Sequence, residues 1–213
     1  DEVLSEIQHR VKNHLSMVVG MIRMQARQID SAQTSFESLA RRVEALQLLY
    51  NEMSQAGVTS ATSDDIPLGA YLTRIASAIG HIDRRQGIRI NVDADEVSVP
   101  VETGARIGLI FSEMLTNSLQ HAFEERDHGL VEARSKALSG GYLRISIMDD
   151  GNGMPDDCKW PDEGNLGARI VRTLVQGLKG KLSVERAVRG TIFNLDVPLN
   201  EQATIIEEER EPA

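Results

Sequence analysis

IMDDGNGMP, residues 147–155, ends an alternating apolar run in two acids and then two glycines one residue apart. Leu143, Ile145 and Ile147 alternate with polar neighbours, the period of a half-buried strand, so Asp149 and Asp150 stand at the strand's end. Gly151 and Gly153 let the backbone approach a flat or anionic ligand there. A carboxylate in that position can accept a hydrogen bond from an exocyclic amine such as that of adenine. Taken alone the stretch is equally a plain turn. A calcium loop is a poor reading, because DDGNGMPDD lacks the acid spacing and terminal Glu of an EF-hand.

Downstream, GNLGARIV sets Gly164 and Gly167 ahead of an amphipathic helix predicted over residues 166–178, where free amides and the helix dipole can hold phosphate. Arg169 and Arg172 add positive charge. Leu182/Val184 and Thr191, Phe193, Leu195, Val197 predict two more strands, and GTIF, starting at Gly190, means nothing by itself. Upstream, residues 67–82 look helical, Gly87 opens a strand through Ile88, Ile90 and Val92, and residues 103–122 are helical again. This last helix carries Glu113, Asn117 and His121 at successive i, i+4 positions, opposite Phe111, Leu115, Leu119 and Ala122. An amide oxygen is a hard ligand suited to Mg²⁺, and Glu113 can take a proton or orient a nucleophile. A solvated helix face explains the row as well. Helices interleaved with hairpin-like strands predict an α/β two-layer sandwich over residues 66–200.

The first 55 residues have a different pattern. Leu4, Ile7, Val11, Leu15, Val18 and Ile22 form one stripe of a helix over residues 3–29, and Phe36 to Met53 repeat it to about residue 55. An antiparallel helical pair buries little alone, so it should pack on a copy of itself or on another domain. AGVTSATSDD, residues 56–65, reads as a linker. His9 points away from the apolar stripe, with Asn13 one turn later on the same side. On this helix alone an incidental surface histidine is the commoner explanation. Exposure is nonetheless what a phosphorylatable imidazole needs. Met17 and Met24 fall near the Asn13 side, where flexible thioethers suit a surface that docks and releases a partner, or else pack on the second helix.

The formal net charge of −9 argues against nucleic acid as a partner. The tail, residues 201–213, has five Glu against Arg210, so −4 of that charge lies there. The single Cys158 cannot form an internal disulfide, and no apolar run approaches the roughly 18 residues of a membrane span. A cytoplasmic setting with no membrane partner is the expectation. The start, DEVLSEIQHR, enters a helix without preamble, which points to a fragment whose upstream sensor domain is missing.

In this order HRVKN, SEMLTNSLQHAF, DDGNGMP, NLGARIV and GTIF resemble the sensor histidine kinases whose phosphoacceptor box reads H-R-x-x-N, joined to an ATP-binding domain of the Bergerat (GHKL) type. The likeness runs from Glu6 to about Leu199. It implies that His9 is phosphorylated from ATP and passes the phosphoryl group to an aspartate of a response regulator. It further implies Mg²⁺ on Asn117, with Glu113 and His121 beside the phosphates. Asp149 would bind the adenine amino group, Gly151 and Gly153 shape the pocket, Thr191 bond near the base, and Gly164 and Gly167 hold the lid and phosphates.

Departures from the pattern matter as well. Arg10 follows the histidine where the larger class has an acid, which leaves Glu113 as the candidate base. Gln120 stands where a lysine is usual, Ser112 replaces the histidine of a related subfamily, and only ten residues separate the glycine boxes. Trp160, in that short lid, is expected to pack rather than cover a nucleotide. Asn13 is expected to orient water for the reverse phosphatase reaction. Competing readings are a phosphotransfer adaptor with a decayed ATP site and an anti-sigma serine kinase that shares only the ATP domain. A homodimer and a monomer are both open, and the family accommodates a PAS-type, light-sensing module upstream.

Overall fold

The computed structural model describes Val43 and residues 65–82, 87–155, 158–164, 166–199 and 204–205. Val43 is helical and exposed. The rest of the predicted helical pair, with His9, Asn13, Met17 and Met24, lies outside the described residues, as do linker residues 56–64.

The elements run β1 (Asp65–Pro67), α1 (Leu68–Ile82), β2 (Gly87–Ala94), β3 (Val97–Pro100), α2 (Val101–Asn117), a π turn (Ser118–Ala122), β4 (His128–Leu138), β5 (Tyr142–Asp149), α3 (Leu166–Gly177), β6 (Lys181–Arg186), β7 (Thr191–Pro198) and β8 (Thr204–Ile205). Five strands form one sheet in the order β2-β4-β5-β7-β6, and β1-β3-β8 form a small second sheet. Among the described strands of the large sheet, β2 and β4 pair in parallel and the other neighbours are antiparallel. A parallel pair needs a long crossover, and this one runs through β3 and α2.

Period-two alternation decides which face of the sheet is buried. Val131 and Ala133 on β4, Leu143, Ile145 and Ile147 on β5, and Phe193, Leu195 and Val197 on β7 all face the core. They meet Tyr71, Leu72 and Ile75 of α1, Ile107, Phe111 and Leu115 of α2, and Val171 of α3. Fully burying side chains of this size contributes about 1.5–3 kcal/mol each against chain entropy. The opposite face is a polar ladder. Arg144 makes a bidentate pair with its cross-strand partner Asp196 at 2.7 Å through both nitrogens, and Ser146 donates to Asn194 at 2.7 Å. The two layers match the predicted sandwich.

Four strands are additional to the predicted ones. β4, eleven residues long, alternates the small inward residues Ala133 and Ser135 with the outward charges Glu132, Arg134 and Lys136. β1 and β3 are held by their pairing with each other, Ile66 opposite Val99. β8 pairs the backbone of Thr204 and Ile205 with Ser98 and Val97, so the chain returns to the fold within the expected acidic tail.

Candidate functional site

The helix bearing Glu113 and Asn117 departs from the prediction at its C-terminal end. α2 stops at Asn117, and residues 118–122 wind into a π turn. The wider turn breaks the straight i, i+4 row, so His121 no longer continues the line of Glu113 and Asn117. Glu113 and Asn117 are half-buried, whereas Gln120 and His121 are exposed, and His121 Nδ1 lies 3.5 Å from the carboxylate of Glu124. The wider turn is compatible with the burial of Leu119, Ala122 and Phe123 together. Phe123 then lies over Gly129, where a Cβ would come within 2.1 Å of the ring.

The end of β5 is anchored by side chains and close packing. Asp149 is 2% exposed, and its Oδ1 accepts from the Gly151 amide at 3.0 Å and the Thr191 amide at 3.2 Å. Burial pushes this carboxyl above its ordinary range, and the two amides pull the other way. Asp150 Oδ1 accepts from the Leu130 amide at 2.8 Å, while Arg126 donates to the Asp150 carbonyl at 2.9 Å and lies 5.8 Å from the centre of the Phe123 ring. The Asn152 amide donates to the Ala122 carbonyl at 2.8 Å, which ties the loop to the π turn.

Two glycines fit here for steric reasons. A Cβ on Gly151 would stand 2.2 Å from the Ala122 carbonyl oxygen. At Gly190, with φ +81°, a Cβ would stand 1.9 Å from the Asp149 carbonyl oxygen and 2.5 Å from its Oδ1. Gly153, at φ +77°, faces the Gly190 carbonyl. Gly190 and Ala122, to which the sequence alone assigns no role in the site, and Arg126 also shape it. Only the glycine opening GTIF left a signal, and it becomes legible only when β5 and β7 are known to be neighbours.

Gly164 and Gly167 lie at the far end of the segment that leaves Gly153. Gly164 is exposed with φ +149°, and Gly167 is buried in the first turn of α3. Arg172 donates to the Asp162 carbonyl at 2.9 Å, and Arg186 donates to the Met154 carbonyl. Trp160 sets its ring edge-on to Phe193 at 5.2 Å and 82°, the packing role expected of it. A cavity of about 580 Å³ lies between this segment, α3 and β6, lined by Met154, Trp160, Arg172, Val175 and Val184 among others. It does not include Asp149, Asn117 or Thr191. A site that reads a ligand needs a defined polar acceptor as well as a cleft, and the buried carboxylate supplies such an acceptor outside this cavity's lining.

Among the described residues no three of His, Cys, Asp and Glu cluster as a metal site. A cation held at Asn117 would therefore take most of its ligands from phosphates and water, the usual manner of Mg²⁺. Half-buried Asn117 and Glu113 fit that donor set. No helix among the described residues is long and apolar enough to cross a membrane.

Residues 6–82 match a family model described as histidine kinase, and residues 102–201 match one for histidine kinase-, DNA gyrase B- and HSP90-like ATPases. The first match runs through α1, which packs on α2 within the sandwich. Blue-light-activated histidine kinase 2 of Erythrobacter litoralis is 60% identical over 99% of this chain, and sensor histidine kinase PdtaS of Mycobacterium tuberculosis is 30% identical over 97%. The chain spans 61% and 41% of those two relatives. The solved histidine kinase domain of the E. litoralis EL346 blue-light-activated kinase superposes with a TM-score of 0.78 at 61% identity, covering 93% of this chain and 92% of that one.

Proposed function

This chain belongs to the histidine kinase family, and from that premise we propose that it takes the γ-phosphoryl group of ATP onto His9 and hands it to an aspartate on a response-regulator receiver domain. The observation that carries the reading is Asp149, a buried carboxylate whose Oδ1 is held by two amides. Its second oxygen is thereby left for the amino group of adenine. Thr191 closes the same corner through its amide.

Asn117 and Glu113, on the face of α2 that stays half-buried, stand on the helix whose terminal π turn packs on this loop. The Asn117 amide oxygen is the metal ligand of this reading, and Mg²⁺ when bound supplies neutralisation of the phosphate charge. Gly164 and Gly167 bracket the start of α3, whose free amides suit the phosphates. His121, exposed and beside Glu124, contributes from the rim. Glu113 accepts the imidazole proton as a ring nitrogen of His9 bonds to the γ-phosphorus and the bond to the ADP oxygen breaks. Asn13 orients water for the reverse reaction. The phosphoryl group then passes to the receiver carboxylate and His9 is restored.

The 60% identical relative is blue-light-activated by name. We place this core under a sensor module outside the present sequence, with light as the stimulus. The proposal is tested by incubating the protein with γ-labelled ATP and Mg²⁺. Acid-labile, base-stable label that disappears in His9→Ala is the expected result, and label that survives in that variant would sink the reading.

A further inference from the structure

The two oxygens of Asp149 are treated unequally. Oδ1 is filled by the Gly151 and Thr191 amides, whereas Oδ2 receives no aligned hydrogen bond from a described residue. One side chain stands beside the carboxylate with a donor to spare. Ser118, the first residue of the π turn, is 2% exposed, and its Oγ is buried without an aligned partner. The π turn that carries it packs on the loop after Asp149, with the Ala122 carbonyl against Gly151 and accepting from the Asn152 amide at 2.8 Å, and this brings Ser118 close enough to favour the ionised carboxylate. Serine inside a helix commonly donates back to the carbonyl four residues earlier, and this one does not. Its backbone amide serves the helix instead, reaching the Leu115 and Met114 carbonyls.

A buried hydroxyl without a partner costs about 1–3 kcal/mol, so some occupant of the site should complete it. Thr116 and Ser135 also bury hydroxyls without aligned partners, but neither acts on Asp149. A carboxylate oxygen has two acceptor directions. If one is taken by a hydroxyl from the π turn, the other is fixed in direction and receives a single ligand donor.

We propose that Ser118 is a positioning residue for purine recognition, its hydroxyl donating to Oδ2 of Asp149 when a base is bound and leaving the remaining lone pair of that oxygen aimed at the 6-amino group. The inference rests on the reading of Asp149 as the base acceptor and deepens it. Ser118 does not touch the reacting atoms. Its effect is confined to how well the carboxylate distinguishes a base that carries the amino group from one that lacks it.

The test measures the affinity of the whole chain for ATP and for purine riboside triphosphate, which has no 6-amino group. Ser118→Ala and Ser118→Cys are compared, the second filling the site with a slightly larger group while losing the strong donor. Both are expected to weaken ATP about fivefold and the amino-free nucleotide less than twofold, the difference of one net hydrogen bond. Equal weakening of both nucleotides, or none, overturns the role of Ser118 if Asp149→Asn still abolishes the preference for ATP. If Asp149→Asn leaves that preference intact, the underlying reading of Asp149 fails and the inference with it.

Discussion

The loop after β5 and the segment that follows it, residues 154–164, are continuous in the chain and opposite in character. The loop is held from four sides, by the Asp149 and Asp150 carboxylates, the Arg126 guanidinium and the Asn152 amide, with Gly151 and Gly190 in contact distance of neighbouring backbone. Most of the described residues of the segment are exposed, and it is held to the fold by two arginines on carbonyl oxygens and by Met154 and Trp160, which pack partly buried against the core. Exposed polar contacts like those of the arginines contribute about 0–1 kcal/mol each. The difference suits the two tasks of the proposed reading, in which a rigid floor would read the base and a weakly fastened cover would open over it at small cost.

The largest effect is expected at the floor. Gly190→Ala would drive a Cβ into the Asp149 carbonyl and strain a positive φ, at a cost of about 3 kcal/mol with loss of nucleotide binding. Urea denaturation with a nucleotide titration reads both, and a variant of wild-type stability would break the contrast.

Next comes Asp149→Asn, expected to weaken ATP by about tenfold or more, as loss of a charged acceptor does. Burial holds the carboxyl above its ordinary 3.8, so the folded chain binds this proton more tightly than the unfolded chain. Its ionisation therefore removes stability as pH rises from 3.8 through the raised value. Nucleotide affinity runs the opposite way, falling as pH drops through that raised value and the acceptor is protonated. Stability and affinity measured together across this window should trend in opposite directions in the wild type, and the affinity trend should flatten in Asp149→Asn.

The smallest effect is expected at the cover. Trp160→Ala removes one edge-to-face contact with Phe193, about 1 kcal/mol. Limited proteolysis between residues 154 and 164 should quicken while the urea midpoint barely moves. A large drop in stability would show that the segment belongs to the floor after all.

Much of this contrast is legible in the sequence, because strand alternation and helical stripes are local. Ile145 and Ile147 identify β5, Asp149 its end, and the stripe of α3 its start, each without knowledge of a partner. β4 escapes because its inward residues, Ala133 and Ser135, carry too little hydrophobic contrast against Glu132, Arg134 and Lys136. β1, β3 and β8 escape because strands of two to four residues owe their form to their neighbours. Glu113 and Asn117 are readable as a pair, but the π turn that displaces His121 is not, because it accompanies the packing of Phe123 on Gly129 across the fold. Gly190 and Ser118 belong to the same class, since their meaning depends on what lies beside Asp149 in space.

The parallel pairing of β2 with β4 obliges the chain to cross over, and the crossover is the helix that bears Glu113 and Asn117. Over evolutionary time this ties the two together, since shortening or deleting that helix would unzip the sheet along with the site. The segment between the glycine boxes has no such duty. Lengthening a loop twofold costs only about 0.6 kcal/mol in closure entropy, so descendants of this fold can vary the cover freely while inheriting the floor almost unaltered.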